Sequence, residues 1–259
     1  VARPDRSDEA RATAPTVPED VEPRDLDPAA RARLRTLRKD NADAVARHLV
    51  MAGRLLDDDP EAAYAHAAEA ARRAGRVDVV REAAGIAAYR TGRYAEALRE
   101  LRTARRLGGS DDHVPLMADC ERGLGRPERA IALAAEHAGR LAPEVAVELA
   151  IVVSGARLDL GQPEAALAAL STPEVRSATG EAADRVAEAR ATALAACGRH
   201  AEAEALLATL PEEPVVVIDL ADEDADADDG GTTDASDTAA AQETSGDAVA
   251  DPTHEEPTP

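Results

Sequence analysis

From about residue 30 to residue 211, apolar side chains return every three to four positions, the rhythm of helices that bury one face. The rhythm is interrupted by one recurring loop-and-helix pattern: Asp58-Asp59-Pro60-Glu61-Ala62-Ala63, Gly92-Arg93-Tyr94-Ala95-Glu96-Ala97, Gly125-Arg126-Pro127-Glu128-Arg129-Ala130, Gly161-Gln162-Pro163-Glu164-Ala165-Ala166 and Gly198-Arg199-His200-Ala201-Glu202-Ala203. Successive copies start 34, 33, 36 and 37 residues apart. That period predicts an all-α array of about five stacked helix-turn-helix hairpins.

Each copy carries the chemistry of a hairpin loop. Glycine, or Asp58 in the first copy, closes the first helix, where a left-handed backbone costs glycine little. Pro60, Pro127 and Pro163 fit the first turn of the second helix, which has no use for the missing N–H. Ala63, Ala97, Ala130, Ala166 and Ala203 form a ladder of small residues that lets paired helices approach to about 8–10 Å. Leu101, Leu170 and Leu207 fall four residues later on the same face, with Ala67 and Ala134 in their place in the other two copies. The chain has three Tyr and neither Phe nor Trp, so its core must be aliphatic. Hairpins this lightly packed are marginal alone, and stacking has to supply their stability.

The flanks read differently. Residues 1–26 hold Pro4, Pro15, Pro18 and Pro23 among charges and predict a flexible arm. Asp27-Pro28 then predicts a helix start, followed by a short basic helix over Arg31–Lys39 and an array over residues 27–211 that begins in earnest near Ala42. Residues 212–259 hold 16 Asp and Glu with no Lys or Arg, an acidic segment expected to be disordered. Within it, Val215 to Leu220 is a short apolar run that fits a strand, a docking peptide or a cap over the end of the last hairpin.

The net charge of −21 argues against nucleic acid and against anionic membranes, because both are bound by neutralising phosphates with Lys and Arg. No apolar run is long enough to span a membrane and no leader pattern opens the chain, so a cytoplasmic setting is expected. Two cysteines, Cys120 and Cys197, lie in Ala-rich helical stretches, fit a reduced compartment and predict buried free thiols. Catalytic patterns are missing: no phosphate-binding glycine loop, HExxH, GxSxG or CxxC occurs. The six histidines lack ligand spacing and are expected mostly at the surface. Asp224 to Gly230 is only a faint likeness of a calcium loop, because Ala235 stands where the bidentate glutamate belongs. No enzyme activity, cofactor or metal is expected.

Arg81 to Leu107 places Gly85, Gly92, Tyr94, Ala97, Leu101, Ala104 and Leu107 at the signature spacings of the tetratricopeptide repeat, and the chain resembles that family over about 180 residues. It departs from the pattern in lacking the large aromatic early in the first helices and in carrying the unit-ending proline only at Pro173 and Pro211. The resemblance implies a right-handed superhelix whose first helices line a concave groove for a protein or peptide. Carried over by position, the groove residues are His48, Glu82, Ile86, Tyr89, Arg90, Asp119, Arg122, Glu148, Asp159, Arg185, Glu188 and Thr192. The Lys and Asn clamp by which some members hold a terminal carboxylate has no counterpart, since Lys39 and Asn41 are the sole residues of their types and precede the array. An anionic ligand would have to use Arg90, Arg122 or Arg185.

An adaptor or scaffold follows from the resemblance. Two alternatives stay open beside it: a regulatory protein whose acidic tail masks the basic stretch Arg31–Lys39, and a homo-oligomer assembled through an array end or through Val215–Leu220.

Overall fold

A computed structural model describes residues 14–211. Among these residues every regular element is helical: α1 (Pro28–Arg33), α2 (Lys39–Arg54), α3 (Pro60–Ala74), α4 (Asp78–Arg90), α5 (Tyr94–Gly108), α6 (Val114–Gly123), α7 (Pro127–His137), α8 (Pro143–Asp159), α9 (Pro163–Ala169), α10 (Pro173–Arg176), α11 (Glu181–Ala196) and α12 (His200–Leu207), with short 3-10 turns at Pro23–Asp25 and Leu34–Thr36. Five antiparallel pairs result, α2/α3, α4/α5, α6/α7, α8/α9 and α11/α12, and each packs on the next. None of the described helices is long and apolar enough to cross a membrane.

The loops explain why the pairs repeat. Gly92, Gly125, Gly161 and Gly198 take φ of 72°, 69°, 66° and 76°, the left-handed region that side chains avoid. The residue after each glycine then donates its N–H back five residues, Arg93 to Ala88 O at 2.8 Å and Arg126 to Glu121 O at 2.9 Å for example, which satisfies carbonyls that the helix end leaves open. Pro60, Pro127 and Pro163 open the second helices as expected. The first loop has no glycine and compensates at the other end, where Asp59 accepts the Ala62 N–H at 3.0 Å as an N-cap.

The small-residue ladder is buried throughout: Ala63, Ala97, Ala130 and Ala166 are inaccessible and Ala203 nearly so. Gly85 allows α4 and α5 a close approach, since a β-carbon there would lie 2.7 Å from Leu101 Cγ. Leu101 and Leu170 are fully buried, but Leu207, in the same register, is 47% exposed. No described helix follows α12, so among the described residues no further pair covers the face that Leu207 shares.

Residues 14–26 do not form the flexible arm expected of residues 1–26. Val21 is 2% exposed, and Leu26 packs with the cluster of Leu34, Val45 and Leu49. Arg47 holds the segment by donating to Val21 O at 2.7 Å and Pro18 O at 2.6 Å, and Arg54 pairs with Asp25 at 3.2 Å. Residues 1–13 lie outside the described residues, as do 212–259 with Val215–Leu220 and the Asp224–Gly230 stretch. Asp27 caps α1 by accepting from Ala29 and Ala30. The basic stretch that follows is not one helix: α1 stops at Arg33, and Lys39 belongs to α2. Arg33 is paired with Asp78, and Lys39 with Asp43.

Candidate functional site

Four of the expected groove residues meet in one network. Tyr89 near the end of α4 donates its hydroxyl to Asp119 Oδ2 of α6 at 2.5 Å. Arg122, one helical turn after Asp119, donates to Asp119 Oδ1 at 2.6 Å and reaches Asp159 Oδ2 at the end of α8 at 2.8 Å. Three consecutive first helices are thereby joined by side chains. The network borders a cleft of about 510 Å³ whose walls include Tyr94, Gly123, Pro127 and Glu128.

Electrostatics hold Tyr89 and Arg122 in fixed protonation states. Burial and the hydrogen bond to Asp119 both push the Tyr89 hydroxyl above its ordinary value, so it stays a donor. Burial alone would weaken the Arg122 charge, but Asp159 and Asp119 more than offset it and raise the group. The Tyr89 ring meets the Tyr94 ring edge-on at a centroid distance of 5.8 Å, which fixes its orientation.

Gly155 makes room for the arginine. A β-carbon there would stand 2.7 Å from Arg122 Cζ, so α8 offers bare backbone where the guanidinium lies. Gly155→Ala is expected to displace the end of the Arg122 side chain. Its urea-unfolding stability should stay within about 1 kcal/mol of wild type, because alanine favours a helix interior by about that much. A loss well beyond that in a urea titration would show that Arg122 cannot yield.

The other expected residues sit apart. Ile86 is half-buried and faces a smaller apolar notch of about 170 Å³, with Leu49, Ala52 and Leu56 from α2 and the loop after it. Glu82 on α4 lies 3.1 Å from His113 Nε2, and this contact raises the His113 pKa. Arg90 pairs with Asp57 at 2.8 Å. Arg185 on α11 reaches back to Glu148 on α8 at 2.5 Å and also to Glu181 at 2.7 Å. Glu188 and Thr192 are exposed, and the Thr192 hydroxyl donates to the Glu188 carbonyl.

His48 is a correction. It is 5% exposed and sits between α2 and α3, its Nδ1 3.0 Å from Nδ1 of His66. His66 and His137 are buried as well, so the expectation of mostly surface histidines fails for these three. Small alanine neighbours leave room for imidazoles inside this core.

The three arginines considered for an anionic ligand are already occupied by carboxylates. Their pairing follows the repeat: Arg122 with Asp159 and Arg185 with Glu148 are each 37 residues apart. The same device recurs among residues that the sequence reading missed. Arg93 takes Glu61 in two hydrogen bonds of 3.0 and 2.9 Å while its guanidinium lies 4.2 Å from the Tyr64 ring centroid, and Tyr64 donates to Glu96 at 2.9 Å. Opposite charges one repeat apart were the available signal.

A separate apolar cleft of about 380 Å³ lies between α7 and α8, bordered by Ala134, His137 and Leu149. Ala134 stands where three of the five copies have leucine, and the missing side chain accounts for part of that space. Both cysteines are unpaired, and burial pushes the Cys120 thiol up to about 12, leaving it unreactive. Among the described residues no cluster of three or more potential ligands could hold a metal.

Comparison with family models, with curated proteins and with solved structures returned no match.

Proposed function

We propose that the chain is a tetratricopeptide-like repeat protein that acts as an adaptor, binding a partner protein or peptide in a groove lined by its first helices. The observation that carries this reading is the Tyr89–Asp119–Arg122–Asp159 network, which spans α4, α6 and α8 and borders the 510 Å³ cleft. Tyrosine and arginine are the side chains that most often anchor interfaces, and here their rotamers are fixed before a partner arrives.

The charge state narrows the partner. Arg90, Arg122 and Arg185 are each neutralised by carboxylates, and Glu128 adds a further acid to the cleft. An incoming carboxylate or phosphate would have to displace those acids, so a neutral or basic segment fits better. The apolar notch at Ile86 suits an aliphatic side chain of the same segment. The missing catalytic motifs favour a binder over an enzyme, and two unpaired cysteines fit a reduced, cytoplasmic setting.

Site-specific photo-crosslinking tests the surface. A benzophenone side chain placed at Glu82 in the full chain is expected to trap a partner in the native cell, whereas the same probe at Glu136, exposed on the second helix α7, is expected to trap none. Crosslinks from position 136 with none from position 82 would move the interface to the other side of the repeats.

A further inference from the structure

The His48–His66 pair is the buried titratable cluster that the adaptor reading leaves without a role. Both imidazoles are almost inaccessible, at 5% and 4% exposure, and their Nδ1 atoms face each other at 3.0 Å across α2 and α3. At that distance one Nδ1 carries a proton and the other accepts it, so the contact needs at least one neutral ring. The rings lie 5.3 Å apart between centroids and tilted by 45°, held at that angle by the helices that carry them. A second proton on the pair would set two N–H groups against each other inside the hairpin.

The surroundings oppose even the first charge. Burial depresses His48 most, with His66 itself next, and Arg73 of α3 and Arg47 of α2 add to the repulsion. Glu69 of α3 acts the other way, but its carboxylate is taken by Arg72 at 2.7 Å and Arg73 at 2.6 Å. From α4, which packs on α3, the residues in the adjoining cluster are Ala84 and Ala87, which bring no compensating charge. The result is a His48 pKa lowered to about 4, with His66 lowered in the same direction by burial.

The position of the pair gives it leverage. Beyond α2 and α3 toward the N-terminus the described chain has only α1 and short turns, and terminal units of a stacked array have neighbours on one side only. Arg47, next to His48, holds residues 18 and 21, and Leu49, one residue further, packs against Leu26 and lines the notch at Ile86.

We infer that the facing imidazoles of His48 and His66 make the first hairpin an acid-operated latch, closed while the pair is neutral and opening ahead of the rest of the array when it is protonated. The sign follows from the depressed proton affinity. The closed form is fully favoured above pH 6.5, the ordinary histidine value, and loses ground as the pH falls toward about 4, because the opened hairpin binds protons more readily. The centre of the array responds oppositely: the Glu82 contact raises His113, so that link is fully made below about pH 6.5 and weakens only as the pH rises above it. Carboxylates such as Glu69 and Asp78 are held below their ordinary values by arginines and stay ionised above pH 5. Opening releases the segment from residue 14 to 27 and dismantles the apolar notch, so the latch would grade the N-terminal end of the proposed groove by pH.

Hydrogen exchange of the full chain, read by mass spectrometry at about pH 8 and about pH 5.5 and corrected for intrinsic exchange, tests this. Peptides from residues 39–74 are expected to lose protection by about tenfold or more relative to peptides from residues 114–159, the factor that His48 alone supplies over that interval. Equal changes in the two regions would overturn the latch. His48→Gln keeps a hydrogen-bonding partner for His66 and should flatten the pH response of the first hairpin. If that variant does not fold, histidine side-chain NMR of the wild-type chain decides: His48 still neutral at about pH 5.5 supports the latch, and titration at the ordinary value overturns it.

Discussion

Leu101→Ala is expected to destabilise the protein by about 3 kcal/mol, within the range of about 2–5 kcal/mol for emptying a fully enclosed leucine site. The size of the effect comes from what surrounds the side chain. Leu101 is inaccessible and clusters with Ala88, Ala97, Leu98, Met117 and Cys120, of which the two alanines and the cysteine are too short to swing into a vacancy. Gly85 on α4 lies directly against it and has no side chain to offer. The cavity would therefore persist, and it would sit where α4, α5 and α6 meet. Leu207→Ala is the internal comparison. It removes the same atoms from the same repeat position, but at 47% exposure, and should cost well under about 1 kcal/mol. Urea titrations of the two variants measure both, and similar losses would mean that the stacking described for the central hairpins does not govern stability.

The second large effect concerns binding. Tyr89→Ala combined with Arg122→Ala is expected to weaken partner affinity by about 30-fold or more, equivalent to about 2 kcal/mol for the loss of an anchoring pair. The two residues share Asp119 as a hydrogen-bond acceptor, one on each carboxylate oxygen, so their removal frees that acid and unclamps Asp159 together. The double variant also leaves the cleft more acidic. A basic partner segment would recover part of the loss through Asp119 and Asp159, and an apolar one would not. Titration calorimetry against the captured partner, at low and at physiological salt, separates these cases. Affinity unchanged in a folded double variant would remove this cleft from the interface.

Local rules carried the fold. Loop glycines, helix-opening prolines and the alanine ladder each act within a few residues of where they are read, and the structure places them as expected. What sequence reading missed depends on partners far along the chain. Val21 and Leu26 look too sparse to order a proline-rich arm until Arg47 supplies donors 26 and 29 residues away. His48 was assigned to a surface because register on α2 alone cannot show that His66 stands opposite. Pro173 ends a repeat in the sequence pattern, but here it begins α10, a short extra helix packed on α8 within one of the longer repeat intervals. The candidate site was legible as residue types and positions, while the cancellation of its arginines by carboxylates one repeat away left only a spacing of opposite charges, which cannot show which pairs meet.

The most direct test of the central claim is affinity capture from the native cell with the full chain and with residues 1–211 as parallel baits, followed by mass spectrometry. The helical array is expected to retain the same specific partner as the full chain. A partner held by the full chain and lost from residues 1–211 would contradict the account, placing recognition in the acidic segment and leaving the repeats as a spacer.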